Sequence, residues 1–179
     1  MLPSDLAKSN TEHAHQRAFF QWLNLAARFG FGAAIRICDG RLDLKDARQR
    51  EYANTRPELN LMHAIPNGGM RQKSEAAKLK AEGVKAGVLD TFLPVPKPYS
   101  YPDLHEEGLW HTAAYNGLYV EFKEPKRRNH KNGGLSDAQV EFCDGVREQG
   151  YCVRAAYTWR DAANLVMAYY LVDNRIDTP

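Results

Sequence analysis

Hydrophobic positions along the chain repeat with two periods, and each change of period marks the edge of a structural element. Behind Thr11, a natural N-cap, Phe19, Trp22, Leu23 and Ala26 recur every three or four residues, which predicts an amphipathic helix over about 11–28. Glu12 and Gln16 extend the same stripe. Residues 33–61 are mixed: Ala34-Ile35-Arg36-Ile37-Cys38 has the composition of a strand, Asp39-Gly40 of a turn, and Asp43 to Tyr52 of a short polar helix. Leu59 to Ile65 reads as a strand ended by Pro66-Asn67-Gly68-Gly69, Lys73 to Glu82 as a helix stopped by Gly83, and Val88 to Leu93 as a short strand. Pro94, Pro96, Pro98 and Pro102 keep the next stretch out of any central strand and make it a long excursion. A strand at Leu118 to Lys123, a helix at Asp137 to Gln149, a strand at Tyr151 to Ala156 and a helix at Trp159 to Leu171, capped by Thr158, complete the pattern. Strand, helix and strand in this order predict an α/β protein with a central mixed sheet of about four or five strands flanked by helices. The expected organisation is one domain over residues 1–179, with an insertion at about 30–58 and a proline- and aromatic-rich excursion at about 94–116.

Composition narrows the class. At 179 residues, 44% hydrophobic and 26% charged, the chain can bury one ordinary core, which excludes a disordered, collagen-like or repeat-built protein. No run of eighteen apolar residues occurs, and Met1-Leu2-Pro3-Ser4-Asp5 lacks the basic-then-apolar layout of an export signal. Neither a membrane span nor secretion is expected, and the expected location is the cytoplasm of a bacterium or a phage-infected cell. Cys38, Cys143 and Cys152 are odd in number and lack C-x-x-C spacing, so they read as buried or incidental thiols rather than a disulfide framework or zinc site. The net charge of +2 hides a local +4 over Lys123 to Lys131 and +3 over Arg71 to Lys85. Such clustering fits a polyanionic partner and fits a solvated face equally well.

Candidate chemistry lies where two strands meet. The two-residue period of Leu118 to Lys123 puts Leu118, Val120 and Phe122 on one face and Tyr119, Glu121 and Lys123 on the other. Asp90, an acid among apolar strand residues, needs a partner or a cation to tolerate burial. Asp90 and Glu121 form an oxygen-donor pair suited to a hard divalent cation, and Lys123 can orient or deprotonate a water and stabilise a pentavalent phosphorus. Hydrolysis of a phosphodiester requires these services. A strand-borne ion pair uses the same three residues and requires no reaction, and D…E-x-K spacing alone does not choose between the two.

The surrounding motifs do. Ala64-Ile65-Pro66-Asn67-Gly68-Gly69, Leu79 to Asp90, Gly117 to Lys123, Leu135-Ser136-Asp137-Ala138-Gln139 and Gln149-Gly150-Tyr151 occur in an order and at separations that closely resemble the virus-type replication-repair nuclease (VRR-NUC) domain, over about residues 59–171. That family belongs to the PD-(D/E)xK, restriction-endonuclease-like superfamily. The resemblance implies a restriction-endonuclease-like core and a Mg²⁺- or Mn²⁺-dependent DNA endonuclease. It implies that Asp90 and Glu121 hold the metal together with the backbone carbonyl of Phe122, that Lys123 is the motif lysine, and that Gln139 positions water or phosphate. Glu12 resembles the acid that many superfamily members carry on their first helix. The chain departs from the pattern at Leu89-Asp90, where the superfamily has proline before the acid. Branched DNA such as a Holliday junction, and a homodimer placing two sites on opposite strands, are further expectations from stand-alone members of the family.

Several residues carry two readings each. Ser136-Asp137-Ala138-Gln139 is also a capping box, in which Gln139 satisfies a backbone donor. Asn67 and Arg71 form either a phosphate-meeting turn or a plain connection. Lys126, Arg127, Arg128 and Lys131, with His130, either grip a DNA backbone beside Lys123 or form a solvated loop. Tyr99, Tyr101, Trp110 and Tyr115 stack on unpaired bases or on protein. His63 faces the cleft or is simply hydrogen-bonded, and His105 and His111 lack zinc spacing. No organic cofactor is expected. The rival functions are a non-cleaving, structure-specific DNA-binding module and a purely structural interaction protein.

Overall fold

The computed structural model describes residues 2–66, 78–79, 81–102 and 110–171. In chain order its elements are α1 (Pro3–Leu6), α2 (Glu12–Cys38), α3 (Leu44–Arg48), β1 (His63–Ala64), β2 (Thr91–Leu93), β3 (Lys97–Pro102), β4 (Trp110–Tyr115), β5 (Leu118–Phe122), α4 (Asp137–Glu148), β6 (Cys152–Ala156) and α5 (Trp159–Leu171). The sheet order is β1-β2-β5-β6, antiparallel except for the β5–β6 pair, which α4 connects as a parallel crossover. This is the four-stranded mixed sheet with flanking helices that the pattern predicts.

Side-chain alternation in β5 divides the molecule into layers. Leu118, Val120 and Phe122 face α2 and α5, packing with Phe19, Trp22, Leu23 and Ala26 of one helix and Ala162, Ala163 and Val166 of the other. The Phe19 and Phe122 rings lie 5.5 Å apart. Burying each such side chain stabilises the fold by about 1.5–3 kcal/mol. Leu89, Cys143 and Val153 pack on the opposite face, beneath α4. All three cysteines are free and buried.

Helix α2 begins as expected, with Thr11 Oγ1 accepting from the Ala14 N–H at 3.3 Å. Nearby, the Trp159 N–H at the start of α5 donates to His15 Nδ1 at 3.3 Å, and His15 Nε2 lies 2.8 Å from Asn10 Oδ1. Burial lowers the pKa of this imidazole, so its neutral form accepts the helix N–H and anchors the first turn of α2. The helix does not end near Arg28. It kinks at Gly30, whose φ is +78° and where a Cβ would lie 2.4 Å from the Asn54 carbonyl oxygen, and then resumes to Cys38. The expected strand at Ala34 to Cys38 is therefore helical: Ala34, Ile37 and Cys38 are buried at helical spacing, and a run of five residues was too short to separate the periods.

Asp43 caps α3 as a short polar helix, and Gly83 (φ +98°) closes a helical turn with the Val84 N–H on the Leu79 carbonyl at 2.9 Å. The expected strand at Leu59 to Ile65 shrinks to His63–Ala64, because Pro57 starts a 3₁₀ turn that buries Leu59. The strand expected at Val88 to Leu93 is limited to Thr91–Leu93. Most of the expected helix at Lys73 to Glu82 lies outside the described residues, as do Asn67, Arg71 and His105. Within the excursion β3 and β4 pair antiparallel as a sheet of their own, where prolines are tolerated because neither strand is central, and residues 103–109 lie outside the described residues. Tyr99 stacks on Tyr115 at 4.2 Å, and the Tyr169 hydroxyl donates to the Val95 carbonyl at 2.6 Å, so these rings bind protein. Ser136 caps α4, and Asp161 N donates to Thr158 Oγ1 at 3.0 Å.

Candidate active site

Asp90 immediately precedes β2, and Glu121 sits near the end of β5 on the face toward α4. The Asp90 N–H donates to Glu121 Oε2 at 3.1 Å, and Asp90 Oδ2 accepts from the Phe122 N–H at 2.8 Å, so the two acids stitch the ends of their strands together. Behind them, the Thr91 hydroxyl donates to the Val120 carbonyl at 2.8 Å. Glu121 is only 1% exposed and Lys123 8%. Lys123 Nζ and Gln139 Nε2 both donate to Glu121 Oε1. The spacing D…E-x-K thus becomes one constellation, with Glu121 and Lys123 buried and Asp90 half-buried at its edge.

Gln139 closes the capping box and also reaches the acidic centre. Its Oε1 accepts from the Ser136 N–H at 3.0 Å, while Ser136 Oγ accepts from the Gln139 N–H at 3.3 Å, closing the capping box. Its Nε2 meanwhile reaches Glu121. One side chain therefore fixes the start of α4 to the acidic centre.

Burial first, and the neighbouring Asp90 second, push the Glu121 carboxyl up to about 7, against the opposing pull of Lys123. Half-buried Glu12 is also raised by desolvation, with Lys123 opposing and Asp90 adding, so it lies within the field of the same centre. Among the described residues no three His, Cys, Asp or Glu side chains gather as a metal cage. Two carboxylates still suit Mg²⁺ or Mn²⁺, because Mg²⁺ keeps several waters and takes only one or two protein carboxylates.

The raised carboxyl has a thermodynamic consequence. The folded metal-free protein binds this proton more tightly than the unfolded chain, whose Glu titrates near 4.5. The contribution is full below that value and is lost as pH rises through about 7, on the order of 3 kcal/mol in all. Urea unfolding in EDTA is expected to show lower stability at about pH 8 than at about pH 5. Equal stabilities in EDTA would contradict this assignment.

The remaining candidates are dispersed. Lys126 pairs with Glu124 at 2.7 Å, Arg127 and Lys131 are exposed, and Arg128 is tied to Asp161 at 2.6 Å while covering the Tyr157 ring at 4.6 Å. This basic loop is pinned further by the Tyr157 hydroxyl, which donates to the Gly133 carbonyl at 3.0 Å. His63 Nδ1 lies 3.0 Å from the Leu61 carbonyl oxygen and its ring packs edge-on against Phe92. Sequence reasoning missed Gly87, whose only signal was the second glycine of a turn. At φ +84°, its missing Cβ lets the loop before Asp90 press on the first turn of α4, where a Cβ would lie 2.2 Å from the Ala138 carbonyl oxygen.

A mixed α/β sheet carrying this constellation at adjoining strand ends has a nuclease-like fold. A solved structure described as a VRR_NUC domain protein is similar to it, with a TM-score of 0.51 and 20% identity over 92% of this chain and 91% of the other. This likeness is one of fold. No protein-family model matches the chain, and no curated protein does. Among the described residues no helix is long and apolar enough to cross a membrane.

Proposed function

We propose that the protein is a metal-dependent DNA endonuclease that hydrolyses phosphodiester bonds and prefers branched DNA such as four-way junctions. The observation that carries this reading is the convergence of half-buried Asp90 and Gln139 with Lys123 on the buried Glu121 carboxylate. A buried ion pair is a poor source of stability, and a carboxyl raised to about 7 beside a second acid is typical of functional sites. Asp90, Glu121 and the Phe122 carbonyl would hold Mg²⁺ or Mn²⁺, with Glu12 reaching it directly or through water. The N–H and C=O of one strand residue point the same way, so the Phe122 carbonyl opens on the side where Asp90 accepts the Phe122 N–H. The cation supplies charge neutralisation and a nucleophilic water at neutral pH. Lys123 holds positive charge beside the reacting phosphorus, and Gln139 orients water or a phosphate oxygen. The water oxygen bonds to phosphorus, the bond to the 3′ oxygen breaks and that oxygen takes a proton, leaving a 5′-phosphate and a 3′-hydroxyl. Asn67, Arg71, Lys126, Arg127, Arg128 and Lys131 would contact the DNA backbone, a homodimer would present two sites, and the protein would act in the cytoplasm.

The test is cleavage of a labelled four-way junction, a flap and a linear duplex of matched sequence with Mg²⁺, Mn²⁺ or EDTA. Cutting is expected with either metal and not in EDTA, fastest on a branched substrate. Salt-sensitive binding of all three without cutting in any metal would replace the enzyme with a DNA-binding module.

A further inference from the structure

Helix α2 turns a second face to solvent, opposite its core stripe. Arg17, Gln21, Asn24 and Arg28 follow one another at i, i+4, i+7 and i+11, a spacing that aligns them in a straight row along the helix. Two adjoining open grooves run along this row and share Gln21 and Asn24 as lining. One, of about 470 Å³, includes Arg17 and Phe20 and ends at Ala64; the other, of about 250 Å³, includes Arg28 and reaches Arg48 of α3. Together they follow the row from Arg17 to Arg28, a rise of about 16 Å.

The charge on this face is one-sided. Between Glu12 and Cys38 the helix carries Arg17, Arg28 and Arg36 and no acid after Glu12 itself, whereas an ordinary solvated face mixes both signs. None of Arg17, Arg28 and Arg48 forms an ion pair among the described residues, although Arg41, Arg128, Arg147 and Arg160 each hold a carboxylate at 2.6–2.9 Å. At the start of α3 the N-cap Asp43 accepts from the Lys45 N–H at 2.7 Å, and Asp46 in the first turn makes no ion pair with Arg48 among the described residues. The row also leads to the acidic centre. Ala64 pairs with Thr91, the residue after Asp90, and the Ile65 N–H donates to the Asp90 carbonyl at 2.7 Å.

We infer that the outer face of α2 is a track for one strand of DNA leaving the Asp90–Glu121 centre. Its phosphates meet Arg17, Arg28 and Arg48, and its bases lie against Phe20, Gln21 and Asn24. Unpaired bases suit these contacts, because an aromatic ring and amide groups reach base faces and edges only where the strand is splayed. The direction of the strand rests on the nuclease reading; the binding itself does not.

The test uses a fluorescein-labelled splayed-arm DNA and fluorescence anisotropy in EDTA over a series of KCl concentrations. Each arginine–phosphate contact contributes about 0.7–0.9 to the slope of log affinity against log salt. The triple variant Arg17→Gln, Arg28→Gln, Arg48→Gln is expected to lose about 2–3 from that slope and to weaken binding roughly tenfold or more. Removing an exposed charge elsewhere, in Arg147→Gln, leaves both values at wild type. All these side chains are exposed, so melting temperatures serve as the folding control. An unchanged slope and affinity in the triple variant overturns the track even if the wild type cuts DNA, and so does a wild type that binds no DNA. A reduced slope in a protein that never cuts upholds the track and removes the nuclease reading instead.

Discussion

Lys123→Ala is expected to reduce cleavage roughly 10²–10⁴-fold at saturating Mn²⁺ and DNA, the range that a positioned proton-transfer or charge-stabilising group contributes. Its Nζ pairs with Glu121 in a site where both side chains are almost fully buried, so the charge acts with little screening by solvent. Under the proposed function Asp90→Ala is expected to fail differently, by weakening Mn²⁺ binding itself, because it removes one of the two acids that would hold the metal. Single-turnover cleavage and calorimetric titration of Mn²⁺ on both variants separate the two defects. Removing Lys123 also leaves a buried carboxylate unpaired, which costs about 3–5 kcal/mol unless Glu121 takes up a proton. Melting in EDTA at each pH is therefore measured alongside. A Lys123→Ala protein that cuts within a factor of about two of wild type would reduce the lysine to an ion-pair partner.

The second large effect is expected at Gly87, which contacts no substrate in this reading. Gly87→Ala places a methyl group 2.2 Å from the Ala138 carbonyl oxygen and 3.1 Å from the Gln139 N–H nitrogen, on a backbone with φ +84°. Backbone strain of about 1–3 kcal/mol combines with overpacking of about 1–3 kcal/mol. Relief requires the first turn of α4 to move, which carries Gln139 away from Glu121. Lower urea stability and slower cleavage are expected together. Gly83→Ala is the matched comparison: its φ is +98°, but a Cβ there meets nothing within 4 Å. It should cost only strain and cleave like wild type. Equal losses in both variants would mean that φ alone, and not the approach to α4, makes Gly87 necessary.

These two positions differ in how visible they were along the chain. Asp90, Glu121 and Lys123 were legible because strand alternation places Glu121 and Lys123 on one side of β5, and an acid inside an apolar strand demands an explanation. Gln139 was legible as a cap, and the fold brings the other end of its amide to Glu121. Gly87 was not legible, since a turn glycine and a glycine under a helix look alike until the helix is in place. The row from Arg17 to Arg28 was present at helical spacing, yet the grooves along it depend on what α3 and β1 bring alongside.

Local spacing was sufficient for β5 and β6, the caps at Thr11, Ser136 and Thr158, and the core stripe of α2, because each depends on residues within a turn or two of one another. It was insufficient between residues 30 and 65, where the helix runs on past Gly30 and a strand dwindles to two residues. Five apolar residues fit either period, and the outcome was set by contacts far along the chain: the Asn54 carbonyl against Gly30, and the core that receives Ala34 and Cys38. The acidic centre lies between these extremes. Its residue types follow from the pattern along two strands, whereas the burial that raises Glu121 and the shared oxygen that joins Lys123 to Gln139 arise only when β2, β5 and α4 close together, because desolvation and Coulomb fields depend on distance in space and not on separation in sequence.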